Sequence, residues 1–268
     1  MSAPPLFHLR EGSAPLVVSI PHAGTFLPDD IAAQLTPEGG AVPDTDWFVD
    51  LLYQFLDELD VTVIAATHSR YVVDLNRSPE GGKLYPGQAE TGICPTETFD
   101  GAPLYATAPP DAAARVLRVA RYWQPYHDAL SASLERVKRH HKFVRLLDAH
   151  SIRGSVPRLF AGELPDLNLG TNDGAAASES LTNRVVTAAA DRGFSWVLNG
   201  RFKGGFITRH YGAPNRGIEA IQLELAQRSY VDSGNDPQFR PARAAALVGV
   251  LRLIVSEMLR VPEAVAKS

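Results

Sequence analysis

The sequence predicts an α/β fold, a three-layer sandwich in which helices cover both faces of a mixed, largely parallel sheet. Two observations carry this. Short, β-branched apolar runs alternate with longer segments whose apolar residues recur at helical spacing. Several of the runs are followed at once by His, Asn, Arg or Glu, as expected where ligands gather beyond the carboxyl ends of strands in an open α/β sheet.

The first strand is Leu16–Ile20, closed by Pro21 and Gly24. Thr45–Leu59 follows as a helix, with Trp47, Phe48, Leu51, Leu52, Phe55 and Leu59 on one face and Asp44 or Thr45 as its N-cap. Val61–Ala66 and Tyr71–Leu75 read as the next strands. Ser78–Pro110 is rich in Gly, Pro and Thr without a period, too long for a simple connection, so it reads as a functional or packed excursion. Asp111–His140 is one long or broken helix with Pro125 as a kink point. Phe143–Asp148 is a strand, Pro165–Ala177 a turn-rich loop, Glu179–Asp191 a helix, and Ser195–Leu198 and Ala220–Glu224 the last strands. The final helix is Pro241–Leu259, opened by a proline where a missing N–H costs nothing. No composition break divides the chain, so a single domain, 1–268, is expected.

Composition excludes several classes. Of 268 residues, 45% are hydrophobic and 21% charged, which rules out a disordered or fibrous chain. A net charge of −4 offers no basic excess for nucleic acid. One cysteine, Cys94, permits neither an intrachain disulfide nor a thiolate zinc site, so any metal must be held by His and carboxylates. Neither a signal peptide nor an apolar run of about 18 residues is found, and a cytoplasmic protein without membrane contact is expected. The sequence carries no sign of oligomeric state.

His22, directly after the first strand, and His150, two residues past Asp148, are the sharpest pair. Two imidazoles and a carboxylate form a known zinc ligand set that keeps a position open. Asp44, Asp46 and Asp148 are the candidates for the third ligand, with Asp46 preferred. Asp44 suits a helix cap, and Asp148 suits a partner that orients His150 from the same strand face. The other histidines read as structural or exposed. Asn76 and Arg77 offer an amide and a fork for a substrate carboxylate. Arg70 suits an oxyanion, and Glu224, a charge in the apolar run IQLEL, suits a general base.

Six motifs in chain order carry a resemblance: SIPHAG, DTDWF, SRYVVDLNRSP, LLDAHS, NGRFKGGFITRHYG and IQLELAQRSY. Together they resemble the N-formylglutamate amidohydrolase family, in its histidine-degradation branch, from about Leu16 to Tyr230. That family is similar in plan to zinc carboxypeptidases and aspartoacylases. The resemblance implies a Zn²⁺ ion, or another divalent metal, on His22, Asp46 and His150. It implies a carboxylate grip by Asn76 and Arg77 beside Asp74, and Glu224 as the catalytic acid and base. The implied reaction takes N-formyl-L-glutamate, a small molecule, to formate and L-glutamate. Arg70 fills the oxyanion role by position. Because the substrate is a dianion, a second cation is needed, and Arg153, Lys203 and Arg209 are the candidates. A deacylase of another N-acyl amino acid and a non-catalytic binder of acidic amino acids are the alternatives.

Overall fold

The computed structural model describes residues 3–261 apart from positions 83, 85, 86, 88, 233 and 235, so both ends of the expected 1–268 domain and part of the 78–110 excursion lie outside the described residues. Seven strands form one sheet in the order β1-β3-β2-β4-β7-β5-β6. They are β1 (Phe7–Arg10), β2 (Leu16–Ile20), β3 (Thr62–Ala66), β4 (Val144–Ile152), β5 (Leu167–Gly170), β6 (Trp196–Leu198) and β7 (Ile218–Ala226). The central strands β3, β2, β4 and β7 run parallel, while β1 joins β3 and β5 joins β7 antiparallel. A two-residue pair, β8 (Val231–Asp232) with β9 (Gln238–Phe239), stands apart.

Both faces of the sheet are covered, which explains why its central strands are apolar throughout rather than alternating. Val18, Leu147, Ala149, Leu223 and Leu225 pack on one face against Leu181 and Val185 of the Glu179–Ala189 helix and Leu247, Leu251 and Ile254 of the Pro241–Leu259 helix. Val17, Ile64, Val144, Leu146 and Ala220 pack on the other against Tyr126, Leu130, Leu134 and Val137 of the Gln124–His141 helix. Each such buried Val, Leu or Ile side chain contributes about 1.5–3 kcal/mol. Among the described residues no helix is long and apolar enough to cross a membrane.

Two segments differ from the sequence reading, and a third is broken as that reading allows. Tyr71–Leu75 is buried but forms turns, with Val72 N–H donating to Ser69 O at 2.9 Å and Asp74 N–H to Ile93 O at 2.7 Å. An apolar run records burial, and periodicity alone does not tell a strand from a packed turn. The expected Thr45–Leu59 helix shrinks to a turn at Val49–Leu52 and a 3₁₀ segment at Gln54–Leu59. Phe48 before it has a left-handed φ of 59°, and neither Asp44 nor Thr45 caps it. The Asp111–His140 helix runs as Ala112–Arg118, a π-turn at Val119–Trp123, and Gln124–His141. Pro125, which lacks an N–H, sits two residues past the end of the widened turn, in the first turn of the helix that follows. The turn-rich 165–177 stretch also contains β5, and Phe206–Tyr211 adds a short helix that no periodic signal marked.

Candidate metal centre and active-site cavity

Strand register builds the centre. Side chains two apart share a face, so the row Val144, Leu146 on β4 continues into Asp148 and His150, and Ile218, Ala220 on β7 continues into Gln222 and Glu224. Adjacent register sets Asp148 opposite Gln222 and His150 opposite Glu224. The rows turn from apolar to polar toward the carboxyl end of the sheet, beyond the apolar contacts of the Gln124–His141 helix. His22 reaches the same place from the turn after β2. That turn passes so close to the chain leaving β3 that a side chain at Gly24 would meet the backbone of Thr67 at 2.3 Å. Asp46 is carried in by its backbone N–H, which donates to His22 O at 3.1 Å.

His22, Asp46 and His150 converge, all buried, with one donor atom from each within 4.8 Å of the others. Asp46 Oδ2 lies 3.0 Å from His150 Nδ1 and 3.8 Å from His22 Nδ1, and the two rings are 4.9 Å apart. The far nitrogens are each backed by a carboxylate. His22 Nε2 meets Asp74 Oδ1 at 2.8 Å, and His150 Nε2 meets Asp148 Oδ1 at 3.0 Å. A carboxylate only accepts, so each Nε2 carries the proton and the Nδ1 atoms face inward, the arrangement that orients histidine ligands of a metal. Asp44, the rival third ligand, is turned away. Its Oδ2 accepts the Tyr71 hydroxyl at 2.6 Å and the Phe99 N–H at 2.8 Å.

The electrostatics favour a cation. Burial alone would lower the pKa of His150, but Asp148 and Asp46 on either side raise it well above the usual value. Burial, and then the Arg70 charge, lower His22 to about 4. Asp46 and Asp74 are pulled below the usual carboxylate range despite burial, Asp46 chiefly by the His150 hydrogen bond and Asp74 chiefly by the His22 charge. Three buried acids, Asp46, Asp74 and Asp148, thus face Arg70 and a protonated His150, and a divalent ion in place of the His150 proton would improve the balance. Arg70 Nη2 hydrogen-bonds His22 Nδ1, and its guanidinium lies 3.8 Å from Asp46 Oδ1 and 3.6 Å from Asp74 Oδ2.

One cavity opens onto this cluster, lined by His22, Asp46, Arg70, Asn76, Arg77, His150, Gln222 and Glu224, with residues 89–91, Phe99, Leu159, Arg201 and Phe202 as further walls. Asn76 is locked. Its Oδ1 accepts the Ile207 N–H at 2.7 Å, its Nδ2 donates to Asp148 Oδ2 at 3.2 Å and lies 2.9 Å from His150 Nε2, and a side chain at Gly205 would meet that amide at 2.4 Å. The backbone around it is gripped from behind, His127 Nε2–H donating to Leu75 O at 2.8 Å and Trp123 Nε1–H to Arg77 O at 3.0 Å. Glu224 receives Gln222 Nε2–H at 3.3 Å, and burial pushes its carboxyl up to about 8.

Seven of the sequence-derived residues, His22, Asp46, Arg70, Asn76, Arg77, His150 and Glu224, therefore share one cavity. Arg153, Lys203 and Arg209 do not line it. Arg153 pairs with Asp100 at 2.8 Å, Lys203 with Asp173 at 3.0 Å, and Arg209 Nε–H donates to Gly204 O at 2.7 Å. A cation of the cavity wall outside the sequence-derived set is Arg201, two residues before Lys203 in the same quoted motif. The spacing of that loop carries no facing information, so the motif pointed to the stretch but not to the residue.

The chain matches the family model described as N-formylglutamate amidohydrolase over residues 14–231. It is 46% identical over 252 residues to an N-formylglutamate deformylase of Pseudomonas aeruginosa, covering 93% of this chain and 94% of that protein. It is 42% identical over 255 residues to an N-formylglutamate deformylase of Pseudomonas putida, covering 94% of each. Its fold is similar to the crystal structure of an N-formylglutamate amidohydrolase from Ralstonia eutropha JMP134, with a TM-score of 0.78, 26% identity and coverage of 97% and 98% of the two chains. A gene product from Agrobacterium tumefaciens shares the fold, with a TM-score of 0.72, 17% identity and 94% coverage of both chains.

Proposed function

The chain belongs to the N-formylglutamate amidohydrolase family, and from that premise we propose that it hydrolyses N-formyl-L-glutamate to formate and L-glutamate at a zinc centre. The observation that carries this reading is the inward-facing set of His22, Asp46 and His150, each histidine backed by its own carboxylate, in one cavity with Glu224. The residues fit the metal: two imidazoles and one carboxylate would hold it and leave room for further ligands. Zinc bound there would supply a lowered pKa for water and polarisation of a carbonyl oxygen.

The chain's own groups do the rest. Burial raises the Glu224 carboxyl to about 8, and a cation bound beside it would draw it down toward neutrality, which suits a carboxyl that first takes the proton of the attacking water and then gives it to the departing nitrogen. The amide C–N bond breaks, the water oxygen stays with the formyl carbon, and the proton passes through Glu224 to glutamate nitrogen. Arg70, held by Asp46 and Asp74, stabilises in this reading the charge that develops on the formyl oxygen. Arg77 binds a substrate carboxylate, and Asn76 holds both the adjoining backbone and Asp148 in position. We read the reaction as a cytoplasmic step of histidine degradation, in line with the sequence motifs.

The test is formate release from N-formyl-L-glutamate, measured before chelation, after it, and after zinc is returned. The reading expects activity, loss and recovery. Absence of formate release by zinc-loaded protein overturns the substrate, and full activity after exhaustive chelation overturns the metal.

A further inference from the structure

We propose that Arg201 binds the side-chain carboxylate of the substrate and so selects N-formyl amino acids with an acidic side chain. This deepens, and rests on, the reaction proposed above. A dianionic substrate needs two cations that the chemistry does not occupy. Among the described residues lining the cavity, the cationic side chains besides the candidate ligand His150 are Arg70, Arg77 and Arg201. Arg70 is held at the reacting end by His22, Asp46 and Asp74. Arg77, beside Asn76, donates to neutral acceptors, with Nε to Thr91 O at 2.8 Å, Nη1 to Asn76 O at 3.0 Å and Nη2 to Thr91 Oγ1 at 3.3 Å.

Arg201 reaches the cavity from the loop after β6. Its Nε–H donates to Leu159 O at 2.8 Å and its Nη2–H to Ala89 O at 3.1 Å, and its guanidinium lies over the Phe202 ring, 5.1 Å from the centroid. These contacts fix the plane of the fork before any ligand arrives, which lowers the ordering cost of binding a carboxylate. Arg77 and Arg201 thus grip the two ends of one three-residue segment, Thr91 and Ala89. Glu90 between them also faces the cavity, and its carboxylate accepts the Leu84 N–H at 3.1 Å. With Arg77 on the α-carboxylate, Arg201 is left facing the other end of the substrate.

The experiment compares kcat/KM for N-formyl-L-glutamate and N-formyl-L-glutamine in the wild-type enzyme, Arg201→Gln and Arg201→Lys. Loss of one partner of a desolvated charge pair is expected to lower the glutamate value roughly 100-fold, chiefly through KM, while glutamine turnover changes little. Arg201→Lys should recover part of the preference. Retained glutamine turnover also reports that the variant is folded. An Arg201→Gln enzyme that keeps the wild-type preference, or that falls equally on both substrates, overturns the proposal alone. A wild-type enzyme that releases formate from neither substrate overturns the reaction, and the proposal with it.

Discussion

Glu224→Gln separates chemistry from architecture at this site. The substitution keeps shape and volume, and its amide oxygen can still accept the Gln222 N–H that now reaches Glu224 at 3.3 Å. What it removes is the capacity to take and return a proton, which is worth about 10²–10⁴ in rate. The expected result is a fall of that size in kcat for formate release with KM within a few-fold of wild type. Stability should move in the opposite sense. Burial raises Glu224 in the folded protein from 4.5 to about 8, so between those values the native state binds more protons than the unfolded one. Its contribution to stability is therefore fully present below the lower value and declines as pH rises toward the upper one. At about 1.4 kcal/mol per pKa unit, metal-free Glu224→Gln should resist urea better than metal-free wild type at pH 9, by an amount readily measured. Turnover within tenfold of wild type would refute the role of Glu224 in proton transfer.

Two further outcomes follow from the surrounding groups. Asp148→Asn weakens the grip on His150 Nε2 and should lower metal affinity about 10–100-fold in competition with a chelator; unchanged affinity would make Asp148 a purely structural carboxylate. His127 is buried and lowered to about 4, first by burial, so the unfolded state binds the extra proton as pH falls from 6.5 toward 4 and stability is lost over that window. From pH 7 to 5 this amounts to about 2 kcal/mol, which His127→Gln should remove from the pH dependence of urea unfolding. Parallel curves for the two proteins would contradict the assignment.

What the sequence made legible was whatever depends on local pattern. Leu16–Ile20 and Pro241–Leu259 have the bounds that their apolar runs and flanking prolines indicate. His22, Asn76 and His150 stood out because a polar side chain immediately beyond or within a buried run needs a reason. The helix expected after Asp44 is cut short by the contacts of Asp46. Asp46 is drawn inward to accept Ser151 N–H at 3.1 Å and to meet His150, so the chain turns sharply at Phe48 before any helix begins. Tyr71–Leu75 was misassigned because burial of a turn under the Gln124–His141 helix leaves the same apolar signature as a strand. The sequence does not single out Arg201 as a wall residue, because cavity walls made of loops have no period from which facing can be read; Lys203 and Arg209 in the same motif carry the same charge and meet Asp173 and the Gly204 carbonyl.

The central claim is that His22, Asp46 and His150 together bind one divalent ion. Element analysis of protein stripped of metal, reloaded with zinc and desalted tests it directly, alongside His22→Ala and His150→Ala. The account expects close to one zinc per wild-type chain and little in either variant. A wild-type chain that retains none, or a His150→Ala chain that retains as much as wild type, would contradict it.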